Sequence, residues 1–255
     1  MSAYHNREIR QLGKLLLEIG ALLMSAGANT HRIRLTTNRI AGAFGYTAEL
    51  FITHRALTLT LNDARDDDVF SSTKRTPAHG VNFKVVSGIS RMSWSVVEEK
   101  WPLPRIRAEV ERLAALPHYP RLLVLAMVGL SGAAFCRGFG GTSFEMAVAG
   151  LSSVLGLFVR QEALHRRFNP YLCVYFGAAA AALVAGAFVK WNGLAFEHAF
   201  ATSVLFLVPG VPLINAVSDL VDGNFLTGIA RFAHGSLISF CIALGLLTAI
   251  VTYKF

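Results

Sequence analysis

The chain has 255 residues, of which 53% are hydrophobic and only 16% are charged. Soluble domains carry about 25% charged residues. The composition of the whole chain is therefore typical of a membrane protein and excludes a protein made only of ordinary soluble domains. Lys and Arg number 24, against 16 Asp and Glu. We expect this excess to lie on the cytoplasmic side of a membrane rather than on a surface that binds nucleic acid.

Residues 1–118 are predicted to form a small cytoplasmic α+β domain. Apolar residues recur at helical spacing from Ile9 to Leu23, Gly27 ends this first helix, and Asn29 or Thr30 can cap the second. Further along, β-branched and aromatic runs predict strands, and apolar periodicity predicts more helices. The strands are expected over 49–53, 56–62 and 69–76, and the later helices over 31–44, 81–97 and 103–116.

Residues 119–255 are predicted to form a domain of five transmembrane helices. Each apolar segment approaches the roughly 20 residues that a bilayer requires. The segments run over 122–135, 144–159, 171–189, 200–221 and 234–253. Small residues at four-residue spacing in the third segment predict a face that packs closely on other helices.

Loop charge predicts the topology of these helices. Arg160, Arg166 and Arg167 lie between the second and third segments, and basic loops remain in the cytoplasm. By alternation, the N-terminal domain is then cytoplasmic and the C-terminus lies outside the cell.

The fourth segment carries the sequence VPGVPLINAVSDLVDGNFLTGIARF, from Val208 to Phe232. Pro209 lacks a backbone N–H, and Gly210 adds conformational freedom, so the helix is expected to break there. Pro212 suits the first turn of a helix that restarts. A broken helix that leads into polar groups is typical of transporters that handle a solute or an ion.

On the restarted helix, Asn215, Asp219 and Asp222 are expected to share one face and to line a substrate or ion pathway. A carboxylate near mid-bilayer costs about 2.5–3.5 kcal/mol, which an ionic partner would offset. Arg231, expected in the loop after this segment, is the nearest candidate partner. In the alternative interpretation, Asp222 belongs to a simple turn with Gly223 at the water interface.

The first hairpin turn, Arg137 to Gly141, is rich in glycine. It lacks the lysine and the preceding strand of a phosphate-binding loop, so a tight turn is the simpler interpretation. Arg137 is kept as a candidate contact for an anionic solute, and Glu145 is expected at the interface between membrane and water.

No cofactor is predicted for the chain.

Cysteines and histidines give no pattern for a metal site. Cys136, Cys173 and Cys241 lie in or beside apolar runs without a CxxC pair, which predicts packing residues. The histidines lack HxxxH or HExxH spacing. His198 and His234 flank membrane segments and are either proton carriers or ordinary interface residues.

Three stretches together resemble the threonine/serine exporter (ThrE-like) family, and most closely its short, split YjjP-type members. They are GANTHRI (Gly27–Ile33), HGVNF (His79–Phe83) and the fourth-segment motif, and YPRLLVLAMVGLSGAAFC (Tyr119–Cys136) is also similar. The matching residues of the main motif are Pro209, Gly210, Pro212, Asn215, Asp219, Gly223, Gly228 and Arg231. Relatives often place an aromatic residue and an acid after the glycine pair of the first turn, whereas Thr142 and Ser143 stand here.

The resemblance implies one subunit of a two-component exporter of the cell inner membrane, driven by an ion gradient rather than by ATP. A second small membrane subunit, resembling the C-terminal half of fused family members, would complete it, and the oligomeric state is left open. The split pair is linked with succinate or related dicarboxylates, and the fused members with threonine and serine. Succinate-like anions are favoured because Arg137 and Arg231 suit an anion.

Two further alternatives stand beside this one. The chain is a structural or regulatory membrane subunit if its partner alone carries the solute. A membrane-tethered hydrolase would need a nucleophile and a base, and no GxSxG nucleophile elbow occurs in the sequence.

Overall fold

A computed structural model describes residues 2–53, 55–63, 69–76, 80–117, 119–192 and 196–255. Within these ranges the chain forms ten α-helices and a three-stranded antiparallel sheet, which confirms a mostly helical fold with a small sheet near the N-terminus. The contacts divide the chain into two compact units. We call Met1–Pro117 with Val211–Ala233 the mixed unit, and His118–Gly210 with His234–Phe255 the helical unit.

The N-terminal elements of the mixed unit follow the sequence prediction closely. They are α1 (Ser2–Ser25), α2 (Thr30–Ala43), β1 (Tyr46–Ile52), β2 (Ala56–Asp63), β3 (Val69–Arg75), α3 (Phe83–Glu98) and α4 (Leu103–Ala114). Strand β2 is central, and its alternate residues Leu57, Leu59 and Leu61 are fully buried, as the period of a strand requires. Residues 64–68, which join the second strand to the third, lie outside the described residues.

The turn between α1 and α2 has the predicted caps. Gly27 has φ +90°, the left-handed conformation in which glycine commonly ends a helix. Asn29 is the N-cap of α2, and its side chain accepts a hydrogen bond of 2.9 Å from the backbone N–H of Arg32. This turn therefore has a fixed backbone geometry, with the Gly27 and Ala28 carbonyls beyond the end of α1.

The helical unit is built on α5 (Arg121–Gly138), α6 (Ser143–His165), α7 (Pro170–Asn192) and α8 (Phe196–Thr202). The predicted small-residue face of α7 is confirmed, because its alanines at 178, 181, 182 and 185 are fully buried. Gly156 of α6 and Gly177 of α7 approach so closely that a Cβ on either would lie 3.0 Å or less from the other's carbonyl oxygen. The three cysteines are free and buried, as expected for packing residues.

The fourth predicted segment is broken at Pro209. A short 3-10 turn, Leu205–Leu207, precedes the proline, and α9 (Gly210–Val221) follows it with Pro212 in its first turn. A turn with Gly223 at φ +78° then leads into α10 (Phe225–Tyr253). The prediction that Arg231 lies in a loop was wrong: α10 begins at Phe225, since no proline interrupts the chain after the Gly223 turn.

Four described helices are long and apolar enough to cross a membrane: α5, α6, α7 and α10. The bent pair His198–Leu207 and Gly210–Val221 makes a fifth if it crosses as one span. This range of four to five candidate spans agrees with the five segments expected from the sequence.

Candidate functional site

The two segments most typical of the family lie side by side in the mixed unit. Asp219, near the end of α9, accepts hydrogen bonds of 3.1 Å from both the backbone N–H and the hydroxyl of Thr30. Arg231 of α10 places Nη1 3.0 Å from Oδ2 of the same carboxylate. Asp219 is completely buried and Arg231 is 5% exposed. The candidate ionic partner named from the sequence is therefore the partner in the structure.

Side chains of α9 and α10 also satisfy the carbonyls of the turn between α1 and α2. Nδ2 of Asn215 donates to the Gly27 carbonyl at 2.9 Å, and Nη2 of Arg231 donates to the Ala28 carbonyl at 3.2 Å. Helix ends leave such carbonyls without partners inside the helix. The turn and the motif are thus complementary, and Asp219 and Arg231 fix their relative position.

Asp222 is separate from this cluster. It follows the last residue of α9, in the turn that contains Gly223, and its side chain is exposed. The structure therefore brings together Asn215, Asp219 and Arg231 but leaves Asp222 at the surface. Gly228 packs against Leu220, whose side chain a Cβ would approach to 2.7 Å, so its lack of a side chain allows α10 to turn back on α9.

A cavity of about 550 Å³ adjoins the cluster, within the mixed unit. Ligand pockets commonly have volumes of roughly 300–1,000 Å³. The lining comes from the turn, α2, α3 and the start of α9: Gly27, Ala28, Asn29, His31, Arg32, Leu35, Thr36, Arg39, Phe83, Val86, Ser90, Val211, Ile214 and Asn215. These described lining residues include two arginines and a histidine but no carboxylate, so the cavity suits an anion.

The basic groups of the cavity are held differently. The guanidinium of Arg39 stacks over Trp94 at 3.7 Å and donates to the Ser93 hydroxyl at 2.8 Å. Arg32 is exposed, and no described carboxylate lies within ion-pair distance of it. Arg39 is thus positioned by its neighbours, while Arg32 has its charge available for a ligand.

Sequence reasoning missed the cavity arginines. Arg32 and Arg34 lie on different sides of α2 and suggested no phosphate clamp, and Arg39 belongs to no local motif. The other walls of the cavity come from α3 and α9. These helices lie far from α2 along the chain, so no local sequence pattern predicts that they meet it. The one available signal was that the GANTHRI stretch and the fourth-segment motif both resemble the same family.

Arg137 belongs to the helical unit and not to this cluster. It lies in the last turn of α5 and donates to the Gly141 carbonyl at 3.2 Å, which stabilises the predicted hairpin turn. The side chain of Glu145, which the sequence predicts to lie at the membrane interface, is 3% exposed within the protein. No group of His, Cys, Asp and Glu among the described residues could hold a metal ion.

Comparison with known proteins finds relatives that match almost the whole chain. The chain is 28% identical over 249 residues to the "Probable succinate transporter subunit YjjP" of Klebsiella aerogenes, covering 96% of this chain and 95% of that protein. It is 29% identical over 247 residues to the protein of the same name in Escherichia coli strain K12, with 96% and 95% covered. No solved structure matches the chain.

The family match extends over nearly the whole sequence. Residues 14–253 match the family described as "Putative threonine/serine exporter", so the match includes the α1–α2 turn, the cavity and the fourth-segment motif. Together with the apolar helices, these matches indicate a multi-pass membrane transporter subunit rather than an enzyme. The chain belongs to the threonine/serine exporter family.

Proposed function

We propose that this chain is a subunit of a secondary exporter that moves succinate or related dicarboxylates out of the cell. The observation that carries the proposal is the basic cavity, which both family-typical segments line. Its side chains offer guanidinium groups at Arg32 and Arg39, the imidazole of His31, and amide donors at Asn29 and Asn215. Guanidinium groups bind carboxylates with directed hydrogen bonds, so a small dianion suits this lining.

The lining favours a dicarboxylate over threonine or serine. An amino acid carries an ammonium group, which is best neutralised by a carboxylate when it leaves water. No Asp or Glu is found among the lining residues that the structure describes, so a second anionic group on the solute is better accommodated there than a cation. The names of the two relatives point to the same solute class.

The proposed location is the cell inner membrane, with residues 1–118 in the cytoplasm and residues 119–255 forming the transmembrane domain. Five spans follow if the segment broken at Pro209 and Gly210 crosses as one bent unit. Arg166 and Arg167 in the connection after α6, with Arg160 near the end of α6, support this orientation. The cavity would then receive solute from the cytoplasm.

We assign the predicted pathway residues different roles. Asn215 lines the cavity and contacts the solute, while Asp219 and Arg231 act as positioning residues that hold the α1–α2 turn against α9 and α10. Asp222 and Arg137 are proposed to meet the solute where charged side chains remain hydrated.

A second small membrane subunit is the proposed partner. Only 22% of the most apolar window of α5 and of α10 is buried, and Leu122, Leu130 and Leu247 are exposed. Lipid covers part of such a surface, and a partner that resembles the C-terminal half of fused family members would cover the rest. The printed names of both relatives call them subunits.

An efflux assay tests the proposal. Cells that express both subunits are loaded with labelled succinate, and Arg32→Gln is compared with Arg34→Gln, which changes a basic residue of α2 outside the cavity lining. We expect succinate efflux to fall about tenfold in Arg32→Gln and to stay normal in Arg34→Gln. The reason is that a hydrogen bond to a charged group contributes about 1.5 kcal/mol or more. Equal efflux by both variants, or normal efflux by the partner without this chain, would contradict the proposal.

A further inference from the structure

We propose that Glu145 and His198 form a proton-binding site in the helical unit, at the end predicted to face away from the cytoplasm. The inference rests on the proposed export function. It identifies the proton as the ion whose movement is coupled to export of the solute. Both residues follow predicted outer loops, Glu145 after the turn that joins α5 to α6 and His198 after the connection from α7 to α8.

Glu145 is a buried carboxylate with one oxygen bound and one oxygen free. Its Oε2 accepts hydrogen bonds from the Thr142 backbone N–H at 2.7 Å and the Thr142 hydroxyl at 2.9 Å, in a capping box at the start of α6. Its Oε1 is buried and receives no hydrogen bond from the described residues. The helix cap therefore uses half of the carboxylate and leaves the other half available.

His198 faces the free oxygen. Its Nδ1 lies 3.4 Å from Oε1 of Glu145 and is itself buried without another hydrogen-bond partner among the described residues. The imidazole side chain as a whole is 30% exposed. One side of the ring thus contacts a buried carboxylate while another side remains open, which is the arrangement needed to pass a proton inward.

Among the described side chains of the neighbouring helices, the other charged or titratable groups are already engaged or neutral. On α5, Arg137 donates to the Gly141 carbonyl and Cys136 is a buried thiol. On α7, Lys190 donates to the Tyr253 carbonyl at 2.8 Å. His198 is the group within ion-pair distance of Glu145 in the described part of the chain.

Charge balance makes one proton the stable occupancy. With one proton the pair is neutral overall, either as carboxylate and imidazolium or as carboxylic acid and imidazole. Removing it would leave the buried carboxylate with its two hydrogen bonds from Thr142 but with no cation beside Oε1, which is unfavourable for a buried charge. A second proton would leave a net positive charge. In one cycle His198 takes a proton from water outside and passes it to Oε1 of Glu145, and the pair releases that proton to water on the cytoplasmic side when the site opens inward.

The structure of the cap separates this role from helix stability. Glutamine also serves in a capping box, because the cap needs one acceptor oxygen and no charge. A helix cap does not require a histidine opposite the second oxygen. The substitution Glu145→Gln therefore retains the cap and removes the titratable group.

Membrane vesicles that contain both subunits test the site. The vesicles hold labelled succinate and a pH-sensitive dye, and the outside pH is lowered in steps. For the unaltered chain we expect efflux to rise by up to about tenfold per pH unit below saturation, with acidification inside. In Glu145→Gln we expect succinate exchange at equal pH within about twofold of normal, without acceleration by outside acid and without acidification.

Three further variants test whether the Glu145–His198 pair is the cause of the pH dependence. His198→Asn should behave like Glu145→Gln, whereas His165→Asn, at the opposite end of α6 and exposed, should leave the pH dependence unchanged. Thr142→Ala weakens the cap and should lower abundance while the pH dependence persists. Unchanged pH dependence in Glu145→Gln with normal exchange overturns this inference alone. If the unaltered pair moves no succinate at any pH, the proposed function is overturned and this inference with it.

Discussion

Asp219 is the residue whose interpretation the structure changes most. The sequence suggested a carboxylate that faces a wet pathway, but its two oxygens are bound by Thr30 and Arg231 and its side chain is completely buried. A buried charge persists when it is paired and hydrogen-bonded. The main role of Asp219 is therefore to stabilise the mixed unit and to fix its geometry.

Replacing Asp219 tests this role. Asp219→Asn leaves the Arg231 guanidinium buried without a counter-charge, and breaking a buried pair costs roughly 3–5 kcal/mol. We expect a large loss of stability and abundance, measured by thermal unfolding in detergent and by immunoblot. Asp222→Asn is the matched control, because Asp222 is exposed, and its effect should be within about 0.5 kcal/mol.

The double variant Asp219→Asn with Arg231→Gln sharpens the test. It removes both charges, so it should be more stable than Asp219→Asn alone. A double variant that is less stable by the sum of the two single losses would show that the residues act independently and would contradict the ion pair as their common role.

Two glycines of the fourth-segment motif form a second matched pair. Gly223 has φ +78°, which costs any other residue about 1–2 kcal/mol. Gly210 has no positive φ, and a Cβ added there would meet no other atom within 4 Å. We expect Gly223→Ala to lower the free energy of unfolding by that amount and Gly210→Ala to change it little. Equal losses would contradict the assigned turn geometry.

At the scale of elements, helix ends and packing faces could be predicted from local chemistry. Gly27 and Asn29 marked the end of α1 and the start of α2, and Pro209 marked the break before α9. The start of α10 was missed because its first nine residues, from Phe225 to Ala233, are less uniformly apolar than the predicted span that began at His234. Helix formation there depends on contacts with distant residues, such as the 3.0 Å hydrogen bond from Thr227 to the Ile52 carbonyl.

The contact between α7 and α10 offers a test of helix packing. A Cβ on Gly245 would lie 2.5 Å from the Cβ of Ala178 and 2.7 Å from the backbone nitrogen of Ala179, so the helices cannot accept a side chain there without separating. We expect Gly245→Val to cost about 1–3 kcal/mol, seen as a lower unfolding temperature in detergent. Leu247→Val, at a half-exposed position of α10, is the control and should retain the normal temperature.

At the scale of the whole molecule, topology is the prediction with the most consequences. The native cysteines are buried, so a cysteine introduced at an exposed position can be labelled with little background. We expect Lys254→Cys to react with a membrane-impermeant maleimide in intact spheroplasts, and Arg91→Cys to react only after permeabilisation. The opposite labelling pattern would reverse the proposed orientation and the outer position assigned to Glu145 and His198.

The candidate site shows where sequence reasoning reaches its limit. Asn215, Asp219 and Arg231 were identified from polarity in an apolar setting, and their pairing was anticipated from proximity along the chain. The roles of Thr30, Arg32 and Glu145 in these sites could not be predicted, because these roles arise only when segments far apart in sequence meet. Residue chemistry indicates which groups are costly in a membrane, but only the fold determines which neighbour offsets that cost.

The union of residues 1–117 with Val211–Ala233 has a consequence for biosynthesis. Thr30 leaves the ribosome long before Asp219 and Arg231 are made, since 189 and 201 residues separate them. At about 5–20 residues per second, the growing chain waits on the order of ten seconds or more for these side chains. During that interval the α1–α2 turn exposes carbonyls and an N–H without partners, and most of the hydrophobic spans are inserted. The N-terminal segment is therefore completed late, and a nascent chain stalled before Val211 presents to chaperones a surface that the finished protein conceals.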